Sequence, residues 1–417
     1  MAVSNIYLFP TIWYISYVLS TLLYIHFILC NVILQALDLM ASKYNIQVLL
    51  FLFFLSTLSL KVSSLLKSEK EEDYNSWISW NVNNFSKKYN AEVETLTREP
   101  TGIGSKVLDL KLRNAEMNKV RINVSQDGTG DFKSIKEALD SIPLHNTKRV
   151  ILTIKPGVYR EKIVIPRTLP FITFLGDSND PPTITGNDTK SVTGTTFSTA
   201  TVGVNASYFV AINMKFENTA THDKGSVREQ AVALRISGTN ASFYNCSFYG
   251  NQDTLYDHHG VHYFSNCFIQ GSVDFIFGYA RSLYENCTLN SVANKDGGYF
   301  TAQKRTNSSW GSGFSFQDCK VTGSGLVYLG RAWGDRSRVI FSYTYMDNVV
   351  RPEGWDNWHH PERELTVYYG EYKCSGPGAN FTGRVPWARL LTDKEAEPFI
   401  GTNYIYGDTW LINPATI

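Results

Sequence analysis

A chain of 417 residues with 39 Lys+Arg against 38 Asp+Glu is long enough for one large single-core domain or two ordinary ones. Its charge balance excludes the basic footprint that gripping nucleic acid requires, so no nucleic-acid partner is expected. Thirty Gly and only 18% charged residues exclude a coiled coil or a disordered chain and leave a compact, turn-rich, strand-rich body.

The segment 1–66 is a different material. It carries only Asp38, Lys43 and Lys61 as charged side chains, and Ile6–Leu37 exceeds the roughly 20 apolar residues a membrane helix needs. A second apolar stretch, Ile46–Leu60, has the length of a signal peptide. Read from Met40, the order is basic (Lys43), apolar, then small residues, with Val62-x-Ser64 as an imperfect cleavage site. Two readings stay open: a membrane anchor, or a secretory signal with translation starting near Met40. Either delivers the body to an oxidising compartment. Asn-x-Ser/Thr triplets at Asn84, Asn123, Asn187, Asn205, Asn240, Asn307 and Asn380 permit glycosylation there. Residues 67–115 read as a polar linker and N-terminal wrap, and 116–417 as the folded body.

Within the body, Ser134-Ile135-Lys136-Glu137 has the form of a capping box, and Ile135, Ala138, Leu139 and Ile142 share one helical face until Pro143. A short helix there, just before a strand at Val150–Ile154, would cover the open end of a stack of strands. Downstream, one pattern recurs: an aromatic, then Asn or Asp, Cys, any residue, and an apolar residue. It runs as Phe243…Asn245-Cys246, Phe264…Asn266-Cys267, Tyr284…Asn286-Cys287 and Phe316…Asp318-Cys319, with a cysteine-free forerunner at Phe209…Asn213-Met214. The Asn/Asp positions recur at intervals of roughly 20–30 residues, the period of stacked repeats, with the longer intervals leaving room for a loop. Repetition at this period, with alternating short strands, predicts an all-β solenoid, a parallel β-helix with long loops. A β-sandwich with chance repetition is the alternative. Stacked turns would put Cys246, Cys267, Cys287 and Cys319 in one column, with disulfides 246–267 and 287–319 as the expected pairing and four buried thiols as the other outcome. The cysteine spacings do not resemble a metal site.

Polar residues concentrate in five segments: Gly157–Glu161, Gln230–Leu234, Gln252–Leu255, Asp274–Gly278 and Leu329–Trp333. The first follows a strand and reads as a turn with an ion pair. The others point to chemistry. Gln252 lies midway in sequence between Gln230 and Asp274, and each interval matches one turn of the solenoid. That equal spacing predicts three side chains on one face of successive turns, flanked by Asp253. Two amides can donate N–H bonds to a developing oxyanion. Two neighbouring carboxylates can divide into nucleophile and proton donor if their environments differ, and Arg331 paired with one would supply the difference. Trp333 offers a flat apolar surface for a sugar ring. Together these parts suit acyl transfer from an ester without Ser or His.

The segments QAVAL, QDTL, DFIFG and LGRAW, preceded by QDGTGDFKSIKEAL and GVYREK, resemble those of the plant pectin methylesterases (pectinesterases) over about residues 120–415. The resemblance implies a right-handed parallel β-helix whose cleft binds methyl-esterified homogalacturonan. It implies Asp274 as nucleophile, Asp253 as acid and then base, Gln252 and Gln230 as oxyanion stabilisers, Arg331 and Trp333 as substrate contacts, and Thr196 and Phe277 as further substrate-binding positions. No metal or organic cofactor is implied. A monomer secreted to the cell wall is expected, with membrane anchoring as the other localisation and a proteinaceous inhibitor as a candidate partner. Three features depart from the family pattern: Ala332 stands where Pro is usual, Tyr279 where Asn is usual, and the inhibitor-like helical pro-region has no counterpart. Two rival functions are a β-helix depolymerase, which would cut glycosidic bonds, and a wall-binding protein without activity.

Overall fold

The computed structural model describes residues 108–220 and 229–417. The hydrophobic segment, the question of Met40, and the linker as far as residue 107 lie outside the described residues. Among the described residues no helix is long and apolar enough to cross a membrane.

Asp109 caps a helix over Leu110–Met117 by accepting from the N–H groups of Lys111 and Leu112, and Leu112 and Ala115 are its buried face. From there the chain winds as a parallel β-helix. Each turn adds a strand to each of three parallel sheets, which hold eleven, eight and eight strands. The expected strand Val150–Ile154 is present and pairs with an earlier one, Val120–Val124.

Between them lies the expected helix, Ile135–Asp140, whose Ile135, Ala138 and Leu139 enter the same apolar core as the first strands. Ser134 Oγ accepts from the Glu137 N–H at 3.2 Å. The N–H groups of Ile135 and Lys136 go instead to the carboxylate of Glu161, at 3.0 and 2.8 Å. Glu161 thus serves as a helix cap from the next turn, while its neighbour Lys162 makes an ion pair with Asp188.

The repeated Asn/Asp column has a conformational cause. Asn213, Asn245, Asn266, Asn286 and Asp318 all adopt φ between 50 and 56°, the left-handed region that Asn and Asp tolerate best. Each turns the chain from the eleven-stranded sheet into the next. The amides also bond along the column: Asn245 Nδ2 donates to Asn213 Oδ1 at 2.7 Å and Asn286 Nδ2 to Asn266 Oδ1 at 2.5 Å. The column continues through Tyr343 (φ 52°) and Lys373 (φ 49°), where the residue type gives no hint of it. The aromatic column lies inside. Phe243, Phe264, Tyr284, Phe316 and Phe341 stack with centroids 4.5–4.8 Å apart and rings within 19° of parallel. The forerunner matches from Asn213 to Phe216, which pairs with Phe248, but not at Phe209, because Phe243 pairs with Ala211.

The disulfide expectation is corrected. Cys246, Cys267, Cys287 and Cys319 form the column but remain free thiols, all buried. In-register stacking points neighbouring Cβ atoms the same way, about one strand spacing (~4.8 Å) apart, whereas a disulfide needs Cβ atoms roughly 3.8 Å apart and converging. Each thiol faces backbone carbonyls instead: Cys287 Sγ lies 3.5 Å from Phe264 O, and Cys319 Sγ lies 3.4 Å from Tyr284 O.

A buried polar network interrupts the apolar interior behind the site sheet. Asp257, fully buried, accepts from the Tyr284 hydroxyl at 2.8 Å and meets His262 Nδ1 at 2.5 Å, while His262 Nε2 lies 2.9 Å from the Gly238 carbonyl. Asp257 immediately follows Tyr256 on a strand of the cleft sheet, so this network anchors that strand from behind. Removing the carboxylate would strand two buried donors. Asp257→Ala is therefore expected to lower unfolding free energy by about 3–5 kcal/mol and Tyr284→Phe by about 1 kcal/mol, as measured by urea denaturation.

Candidate active site

One eight-stranded sheet carries the site. Its central strands are Leu234–Ile236, Leu255–Asp257, Ile276–Gly278, Gly298–Gln303 and Val327–Ala332. Alternation sends Leu234, Leu255 and Ile276 into the core. It leaves an outward row in which Arg235, Tyr256, Phe277, Ala302, Arg331 and Asp356 pair in sequence across the strands. Tyr256 and Phe277 stack at 4.2 Å and, with Ala302, form an apolar patch against which Trp333 and Trp358 pack.

Asp253 and Asp274 sit just ahead of two of these strands, both with left-handed backbones (φ 64 and 50°). Their placement corrects the expected alignment. Gln252 bridges to Val273, and the Asp253 N–H donates to the Val273 carbonyl at 3.0 Å. Val273 is one residue short of Asp274, so Asp274 lies level with Asp253 rather than with Gln252. On the other side the expected step holds: the Ala231 N–H donates to the Gln252 carbonyl at 3.2 Å, bringing Gln230 beside Gln252. Both amide side chains are half-buried, and Gln230 Oε1 is buried without a hydrogen-bond partner.

Arg331 grips Asp274 with two parallel bonds, Nε to Oδ1 at 2.8 Å and Nη2 to Oδ2 at 2.5 Å. The guanidinium is itself held between the rings of Tyr299 and Trp358, at 4.1 and 3.7 Å from their centres. Both carboxylates are almost fully buried. Burial pushes the Asp274 carboxyl up, and its bonds and attraction to Arg331 oppose that rise. Burial pushes Asp253 well above the ordinary carboxylate range, the charge of Asp274 adds to it, and Arg331 and Lys190 only partly offset it. Both carboxyls are raised, Asp253 further toward its neutral form than Asp274, whose Arg331 clamp favours the charged form.

The other expected residues fall around this pair. Phe277 is in the outward row, and Trp333 lies 6.0 Å from it. Thr196 opens a short turn, Thr196–Thr199, on a loop tied to the Gln230 segment. The ties are Lys190 N–H to Gln230 O (2.9 Å) and Val232 N–H to Thr199 Oγ1 (3.0 Å). Thr196 is thus on the rim, next to Phe197, whose ring covers the Arg235 guanidinium at 3.5 Å. Sequence reasoning missed Tyr256, Tyr299, Trp358 and Lys190. Tyr256 directly follows QDTL and was open to detection by its alternation with Leu255. Among the described residues no group of three or more His, Cys, Asp or Glu side chains gathers as metal ligands would.

Fold and site together define a carboxylate-centred enzyme on the wall of a parallel β-helix, and comparison with known proteins narrows this. Residues 121–408 match the family model for pectinesterases. The chain is 39% identical over 374 residues to Pectinesterase QRT1 of Arabidopsis thaliana, covering 88% of this chain and 98% of that protein. It is 45% identical over 296 residues to Probable pectinesterase 8 of the same plant, covering 69% and 75%. Its structure resembles pectin methylesterase from carrot with a TM-score of 0.66 and 33% identity, over 76% of this chain and 98% of that one. The chain belongs to the pectinesterase family, and its fold is the right-handed parallel β-helix of those enzymes.

The raised Asp253 carboxyl carries a stability consequence. A carboxyl whose folded pKa exceeds its unfolded value contributes stability fully below about pH 3.9, and that contribution is lost as pH rises through the folded pKa. Asp253→Asn removes the ionisable group with little change of shape. It is expected to stabilise the protein relative to wild type more at pH 7 than at pH 4, by at least about 1 kcal/mol in urea unfolding. An equal effect at both pH values would contradict the buried, protonated state.

Proposed function

We propose that this enzyme hydrolyses the methyl ester at C6 of galacturonate units in methyl-esterified homogalacturonan, yielding methanol and a free carboxylate. The observation that carries the reading is the pair itself: an arginine-clamped Asp274 level with a buried Asp253 pushed toward its neutral form. An ionised Asp274 oxygen attacks the ester carbonyl, and the carbonyl electrons move onto oxygen. The side-chain amides of Gln230 and Gln252 are the donors for that oxyanion, each worth roughly 2.7–4 kcal/mol in the transition state. Collapse expels methoxide, which takes the Asp253 proton and leaves as methanol. Asp253, now a base, removes a proton from water, whose oxygen attacks the acyl-enzyme and releases the carboxylate product and Asp274.

The stacked Tyr256 and Phe277, with Trp333, supply faces for sugar rings, and Thr196 adds a polar contact from the rim. The names of the relatives, and a related mutant pectin methylesterase solved with a hexasaccharide, support a pectin substrate. The pectinesterase family match and the relatives' names support an esterase over a depolymerase, which would cut glycosidic bonds. The plant relatives and the apolar N-terminus support a secreted enzyme acting in the cell wall.

Asp274→Asn is expected to abolish methanol release from esterified pectin while leaving the folded state intact by circular dichroism. Gln252→Ala is expected to lower turnover about 100–1000-fold. New reducing ends in place of methanol would assign the chain to the depolymerases.

A further inference from the structure

The two aromatic rings that hold Arg331 are mounted in unlike ways. Tyr299 sits on the strand Gly298–Gln303 and pairs with Tyr328 of the next, and the two rings stack at 5.3 Å and within 10° of parallel. Arg351 lies over Tyr328, 5.0 Å from its ring centre. That side of the clamp is fixed by a backbone ladder and by stacking. Trp358 has no strand under it. The strand Trp355–Asp356 pairs Asp356 with Arg331 and ends there. Trp358 and His359 follow with φ of 60 and 57°, the left-handed region that a bulky residue rarely takes. Such a strained turn persists only where the surroundings hold it. Asp356 does so, its Oδ1 accepting from the Trp358 N–H at 2.7 Å, the short side-chain-to-backbone loop that Asp and Asn both make.

This bond reaches further than the turn. With Trp358 in place, its ring lies 3.7 Å from the Arg331 guanidinium and keeps water off one face of it. Arg331 Nε and Nη2 then bond Asp274 at 2.8 and 2.5 Å. Were the ring to swing away, water would compete for the same N–H groups. We infer that Asp356 is a positioning residue: by capping the turn it seats Trp358 on Arg331 and so keeps the guanidinium fork on Asp274. Its charge is not the useful part, because that charge pushes the Asp274 carboxyl up, against the effect of Arg331. What the site uses is an acceptor oxygen at that point, which Asn also carries. The kinetic consequence rests on the ester-hydrolase reading above, whereas the seating of Arg331 does not.

The test joins methanol release from esterified pectin to nitrogen NMR on arginine-labelled protein. Asp356→Ala is expected to lower kcat about tenfold with KM changed far less, and Asp356→Asn to stay within about twofold of wild type. The Arg331 Nε proton, bonded to Asp274, is expected to exchange with water about tenfold faster in Asp356→Ala and at the wild-type rate in Asp356→Asn. Adding Asp356→Ala to Trp358→Leu is expected to cost nothing further, because both act through one ring. An Asn variant as impaired as the Ala variant overturns the inference, since the charge and not the turn would then matter. So do losses that add in the double variant, and so does a change in KM alone, which would mark Trp358 as a sugar-binding face only. If Asp356→Ala does not fold, Trp358→Leu decides, and an unchanged Nε exchange rate there overturns the inference. Wild-type protein releasing no methanol would instead overturn the ester-hydrolase reading, and the exchange rates would still decide the role of Asp356.

Discussion

The site depends on the register of a parallel ladder. The bridge of Gln252 to Val273 sets the step between two turns, and that step places one aspartate level with another at about one strand spacing (~4.8 Å). Two buried carboxylates so close cannot both be charged at neutral pH without large repulsion. Something must decide which keeps the proton, and that is Arg331, whose two bonds reach Asp274 alone of the pair. A slip of one residue would send the outward row inward and destroy floor and pair together.

The surroundings maintain this division. Tyr299 and Trp358 sandwich the guanidinium, so its planar fork meets Asp274 in one orientation. Both aspartates adopt left-handed backbones, which cost of order 1–3 kcal/mol each and persist only where the structure around them insists. Behind the site that insistence comes from the stacked aromatic column and from Asp257 with His262 and Tyr284. The solenoid thus acts as a stiff wall on which the reacting groups need little reorganisation.

Much of this was readable in the chain, and the failures have physical causes. The column from Asn213 to Asp318 was visible because Asn and Asp suit a left-handed turn. It vanished at Tyr343 and Lys373, where the same turn is imposed on residues that do not advertise it. Cysteine spacing showed which thiols are neighbours but not that parallel stacking keeps them from converging. Equal spacing of Gln230, Gln252 and Asp274 suggested one vertical file, yet successive turns differ by a residue, so Asp253 took the place expected of Gln252. That Arg331 pairs with one of the two carboxylates was legible from their company in the sequence, but not that its partner is Asp274. Tyr299 and Trp358 were not, since an aromatic in a strand-rich chain looks like core.

The central claim is that Asp253 is neutral while Asp274 is charged in the resting enzyme. Carboxyl-carbon NMR on aspartate-labelled protein, assigned with the two Asn variants, tests it most directly. The account predicts that the signal of Asp274 titrates first and that Asp253 remains protonated to a clearly higher pH than an ordinary aspartate. If Asp253 ionises first, or both titrate together near an ordinary carboxylate value, Arg331 does not set the roles and the account is wrong.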